Sequence, residues 1–117
     1  MIDWHSVDTV LLDMDGTLLD LEFDNWFWQK HVPECYARQQ GLDRAEADRI
    51  IHDWITSHLG TLNWYCLDFW TAELGLEIAR LKREAGDRIA VRPGADTFLQ
   101  ALKESDKQVI MVTNAHR

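Results

Sequence analysis

The sequence predicts an α/β fold in which a small parallel sheet is interrupted by a long all-helical insert. Three observations predict it. The apolar run Val10-Leu11-Leu12 ends in Asp13, Asp15 and Gly16, which reads as a buried strand entering a turn. A second apolar run, Val109-Ile110-Met111-Val112, ends in Thr113-Asn114. Between the two runs, residues 24–86 show helical periodicity and no convincing strand. Two parallel strands need a crossover of this kind, and its expected hand is right.

Each element follows from local chemistry. Residues 18–23 lead out of the first turn. Asp24 is placed to cap a helix bearing Trp26, Phe27 and Trp28. Pro33 either ends that helix or opens the next at its first turn, and Gly41 stops the second piece. Asp43 and Glu46 have the spacing of a capping box, with Asp in place of Ser or Thr. Ala47, Ile50, Ile51, Trp54, Ile55 and His58 then line one face of an amphipathic helix that Gly60 would stop. Residues 61–64 are a connection. Leu67, Trp70 and Leu74 mark a helix ended by Gly75, and Ile78, Leu81 and Ala85 mark a short one ended by Gly86. Strand-like texture returns at Ile89-Ala90-Val91, followed by the turn Arg92-Pro93-Gly94. Ala95, Phe98, Leu99 and Leu102 line a helix ending near Ser105-Asp106, and residues 107–113 supply the second buried strand.

Composition bounds the function. A chain of 117 residues, 46% hydrophobic and 27% charged, has the balance of a folded globular protein rather than a disordered one. A net charge of −8 disfavours nucleic acid and anionic membrane as partners. A phosphorylated substrate stays compatible, because a bound cation reverses the sign locally. Cys35 and Cys66 lack the spacing of a zinc site and are expected as reduced thiols. No secretory leader or membrane-length apolar run is visible, so a cytoplasmic address is the expectation.

The chemistry concentrates where the strands end. Open α/β sheets bind ligands beyond the carboxyl ends of their strands. Two carboxylates one residue apart, Asp13 and Asp15, repel each other, and a hard cation such as Mg²⁺ relieves that repulsion. A carboxylate can also attack phosphorus and form an aspartyl-phosphate. Thr113 and Asn114 would close the second strand at the same sheet edge, where a hydroxyl and backbone N–H groups suit phosphate oxygens. A strand-end Thr that bonds only its own loop is the plainer alternative.

Asp13-Met14-Asp15-Gly16-Thr17-Leu18 resembles the first motif of the haloacid dehalogenase superfamily of phosphohydrolases, and Val112-Thr113-Asn114 resembles its second. The resemblance implies a partial Rossmannoid parallel-sheet core with an inserted helical cap of the C1 type. Its parts would be residues 1–20 and 88–117 for the core and 21–87 for the cap, which closes over the site and selects substrate. It further implies Asp13 as nucleophile and Asp15 as general acid and base. Mg²⁺ would be held by the Asp13 side chain and the Asp15 backbone carbonyl, and the phosphoryl group by Thr113 and Asn114.

The runs Asp24-Asn25-Trp26-Phe27-Trp28-Gln29-Lys30 and Thr61-Leu62-Asn63-Trp64-Tyr65-Cys66-Leu67-Asp68 look like the cap of bacterial GMP/IMP 5′-nucleotidases of that superfamily. The implied substrate is a purine 5′-nucleotide. The superfamily also uses a later Lys and a later acidic motif on further strands. Neither can be assigned here, so the expectation is an N-terminal half, catalytically incomplete as it stands. A non-catalytic interaction fragment pairing through its aromatics is the alternative, as is a phosphatase or phosphomutase for another small metabolite. A dehalogenase is disfavoured, because halide displacement needs no acid in the position of Asp15. Of six tryptophans, Trp54 and Trp70 are expected in the core, whereas Trp26, Trp28 and Trp64 could pack or stack a purine. The oligomeric state is left open.

Overall fold

The structure is a computed structural model that describes residues 1–115. The described residues form two compact units, Met1–Leu21 with Ala90–Ala115, and Glu22–Ile89.

The first unit holds the sheet. Strands β1 (Thr9–Leu12) and β2 (Gln108–Met111) pair in parallel, with Thr9 opposite Gln108 and Leu12 opposite Met111. Helix α6 (Ala95–Glu104) precedes β2. Alternation along β1 sends Val10 and Leu12 to one face, where they meet Leu18 and Ala95, Leu99 and Leu102 of α6. Leu11 points the other way and is 64% exposed. Phe98 sits at the margin of the helix face, edge-on to Trp4. The Lys107 ammonium ties down the N-terminal segment by donating to the carbonyls of Trp4 and Val7, both at 2.7 Å.

Two sequence expectations need correction in this unit. The second strand is not buried: Gln108, Val109, Ile110 and Met111 are all exposed. Within this unit α6 covers one sheet face, and β1 contributes the side chains that meet it. Nor do Ile89-Ala90-Val91 form a strand. Val91 makes a single antiparallel bridge to Leu19. The facing residues belong to a curled turn, so only two ladder bonds form, Asp20 N–H to Ala90 O and Arg92 N–H to Leu18 O.

The second unit is helical. Residues 22–40 run without a break through α1 (Glu22–Trp26), a π-helical turn (Phe27–His31) and α2 (Val32–Gln40). Asp24 therefore lies inside the first turn of α1 and does not cap it. Pro33 lies at the start of α2, directly after the π-helical turn. In the π-helical turn residues five apart come into line. Trp26 and His31 accordingly stack, with ring centroids 4.8 Å apart, while Phe27 is wholly buried.

Gly41 ends α2 in the left-handed conformation. The Asp43 carboxylate accepts from the Glu46 N–H at 2.8 Å and caps α3 (Arg44–Ser57). The predicted face of α3 is the one that packs, with Ala47 and Ile51 buried and Ile50, Trp54, Ile55 and His58 half-buried. The helix stops at Ser57, before Gly60, because the His58 ring nitrogen Nδ1 and the Ser57 hydroxyl both bond Trp54 O. Gly75 ends α4 (Leu67–Leu74) as expected. Helix α5 (Ile78–Glu84) is closed by Ala85, and Gly86 begins a separate 3₁₀ turn.

The core of this unit joins Phe23, Phe27, Val32, Ile51, Trp70, Leu74 and Ile78. Trp70 is 1% exposed, whereas Trp54, expected in the core, is half-buried against Tyr36. Trp26, Trp28 and Trp64 are also half-buried against this core. At its edge the Lys82 ammonium pairs with Asp24 at 2.7 Å and lies 5.3–5.9 Å from the ring centroids of Phe23, Phe27 and Trp28. Lys82→Met keeps the stem on the rings but removes the charge-assisted bond. It is expected to lower stability by about 1–3 kcal/mol, read as a fall in the urea midpoint at unchanged slope.

Both cysteines are free thiols. Burial pushes the Cys35 thiol above its ordinary range against an opposing pull from Arg38. The folded state therefore holds that proton longer than the unfolded chain does. Its stabilising contribution is complete below the ordinary thiol pKa and is lost as pH rises through the raised value. Alkylation of Cys35 at about pH 8 is expected to lag that of free cysteine, as peptide mass mapping over time would record.

Candidate active site

Parallel pairing sends β1 and β2 out of the sheet on the same side. Extending the register by one step sets Asp13 opposite Val112, and the Val112 N–H donates to Leu12 O at 2.7 Å. Thr113 and Asn114 follow immediately. The sheet thus brings Asp13, Asp15, Thr113 and Asn114 to one end, and all four are exposed to solvent.

The loop after β1 is tightly wound. Met14 O accepts from the N–H groups of Thr17, Leu18 and Leu19 at 3.3, 2.9 and 2.9 Å, and Gly16 N–H donates to Leu19 O at 2.8 Å. Gly16 has φ of +77°, and a Cβ there would meet Leu21 at 3.1 Å. Both facts favour glycine at this position. The Asp13 carboxylate accepts from Met14 N–H at 2.8 Å, which orients it on the loop's own backbone.

The Thr113 hydroxyl oxygen accepts from Ala115 N–H at 3.1 Å. That is the local bond of the plainer alternative, but it uses a lone pair and leaves the hydroxyl proton available for an outside acceptor. His116 and Arg117 lie outside the described residues.

Arg92 was read from sequence only as part of a turn. Its guanidinium Nη1 donates to Gly16 O at 2.8 Å, across 76 residues of sequence. Its sequence signal was confined to the Pro-Gly that follows it, which marks a turn and says nothing of a contact so distant in the chain.

The donor set at this end is carboxylate and carbonyl oxygen, the chemistry that suits Mg²⁺, a metal commonly bound by one or two carboxylates with waters and phosphate. Among the described residues no group of three or more His, Cys, Asp or Glu gathers around one point. Asp13 and Asp15 offer oxygen donors of the kind Mg²⁺ takes, and no cluster among the described residues supplies further side-chain ligands.

The haloacid dehalogenase-like hydrolase family matches residues 7–117. The chain belongs to that family. It is 52% identical over 115 residues to the GMP/IMP nucleotidase YrfG of Escherichia coli (strain K12), a match that covers 98% of this chain and 52% of the relative. The GMP/IMP nucleotidase YrfG of Shigella flexneri matches to the same extent. The chain spans about half the length of these curated relatives. The crystal structure of a HAD phosphatase from Thermococcus onnurineus superposes with a TM-score of 0.80 at 22% identity, covering 95% of this chain and 53% of that one. This likeness supports the haloacid dehalogenase-like fold read from the sequence. Among the described residues no helix is long and apolar enough to cross a membrane.

Proposed function

We propose that the protein is a phosphomonoester hydrolase for purine 5′-nucleotides that works through an aspartyl-phosphate on Asp13. The observation that carries this reading is the meeting of the Asp13–Asp15 loop with Thr113 and Asn114 at one end of a parallel pair. The substrate class is supported by the 52% identity to proteins named GMP/IMP nucleotidase.

In this reading an oxygen of Asp13 attacks phosphorus as the bond to the ester oxygen breaks. Asp15, protonated, gives its proton to the departing 5′-oxygen. Asp15 then takes a proton from water, and that water attacks phosphorus. Inorganic phosphate leaves and the Asp13 carboxylate is restored. The Thr113 hydroxyl and the Asn114 backbone N–H hold the equatorial oxygens of the transferring group. The Asp13 carboxylate and the Asp15 carbonyl would hold Mg²⁺, which supplies charge neutralisation between carboxylate and phosphate when bound. The helical unit, Glu22–Ile89, would carry substrate selection.

The test is phosphate release by the full-length protein from a panel of GMP, IMP, AMP, CMP and glucose 6-phosphate, with Mg²⁺ and with chelator. GMP and IMP are expected to lead the panel, with release lost in chelator. Equal rates across the panel would contradict the purine assignment, and undiminished release in chelator would contradict the metal.

A further inference from the structure

We propose that Arg92 is a positioning residue that fixes the Asp13–Asp15 loop through the carbonyl of Gly16. The proposal rests on the reading of Asp13 and Asp15 given above.

The N–H groups of Gly16, Thr17, Leu18 and Leu19 are satisfied within the loop, by Leu19 O and Met14 O. The Gly16 carbonyl instead takes its bond from the Arg92 side chain. Gly16 lies at φ of +77°, where a glycine peptide turns over at little steric cost. Its amide side is fixed by Leu19 O, and its carbonyl side is fixed by Arg92. A charged donor makes that bond stronger than a neutral one.

Arg92 is itself well anchored. Its N–H donates to Leu18 O at 2.9 Å, and its carbonyl accepts from Ala95 N–H at 3.0 Å, in the first turn of α6. The guanidinium therefore reaches the loop from a fixed base. Because Arg92 and its bond are exposed, the tie contributes little to global stability. Its effect is on geometry, and small misplacements at a reacting centre are costly.

The test follows amide exchange residue by residue in the 117-residue chain carrying R92Q or R92K. In R92Q the amides of Gly16, Leu18 and Leu19 are expected to exchange about tenfold faster while the β1–β2 ladder is unchanged. R92K, which keeps a charged donor, should recover most of the protection. With Mg²⁺ alone as the probe, the shift of the Gly16 amide should need about tenfold more metal in R92Q. Unchanged loop exchange in R92Q, or an equal rise throughout the β1–β2 ladder, would overturn the proposal.

Asp13→Asn separates this inference from the one beneath it. Normal hydrolysis of GMP by that variant would remove Asp13 from its role, and the exchange result for Arg92 would still stand or fall alone. Absence of any Mg²⁺ response in the unmodified chain would likewise count against the metal and leave the exchange comparison decisive.

Discussion

In the full-length protein, Asp13→Asn is expected to abolish hydrolysis of GMP and IMP, with a loss on the order of 10³-fold or more. The substitution is unusually clean. Asn keeps an oxygen that can accept the Met14 N–H bond now made by the Asp13 carboxylate at 2.8 Å. The side chain is exposed, so no packing is lost. What disappears is the anionic oxygen that would attack phosphorus and hold the metal. Stability should stay within about 0.5 kcal/mol of the unmodified protein, as for surface substitutions away from special features. Loss of turnover together with unchanged unfolding would therefore assign the defect to chemistry. Turnover at the unmodified rate would end the nucleophile assignment.

Trp70→Ala is expected to cost about 3–5 kcal/mol, the largest stability effect of any substitution considered. Trp70 is the largest of the fully buried side chains. Its ring meets Trp28, Phe69 and His58 at centroid distances of 5.5, 5.2 and 5.4 Å. Its indole N–H donates to Trp64 O at 3.0 Å, fixing the connection before α4. Truncation would leave a cavity and take away a hydrogen bond at once. The expected record is a large fall in the urea midpoint. A shift under about 1 kcal/mol would mean that the core collapses around the gap.

Much of this architecture was legible because it is written in local patterns. The Asp43 cap, the left-handed Gly41 and Gly75, and the packed face of α3 each follow from residues within a turn or two of one another. The parallel pair followed from two apolar runs whose ends carry polar residues. The failures have separate causes. Asp24 looked like a cap by type, but its carboxylate is engaged by Lys82, 58 residues away. Gly60 looked like a stop, yet α3 ends earlier through the Ser57 and His58 side chains. The π-helical turn has no simple sequence signature, since it shows itself only when Trp26 and His31 stack.

Exposure of β2 was missed for a different reason. An apolar run specifies a strand but not how many layers cover it. At the candidate site the same division holds. Asp13, Asp15, Thr113 and Asn114 were read from residue type and position at strand ends. Arg92 was not, because its role depends on a contact with Gly16 that no local pattern encodes.

The most direct measurement of the central claim is acid-quenched mass mapping of the full-length protein mixed with GMP and Mg²⁺. The account predicts one phosphoryl group on the peptide containing Asp13, removed by dilution into excess water and missing in the Asp13→Asn variant. Turnover with the phosphoryl group on another residue, or with the label unchanged in that variant, would contradict it.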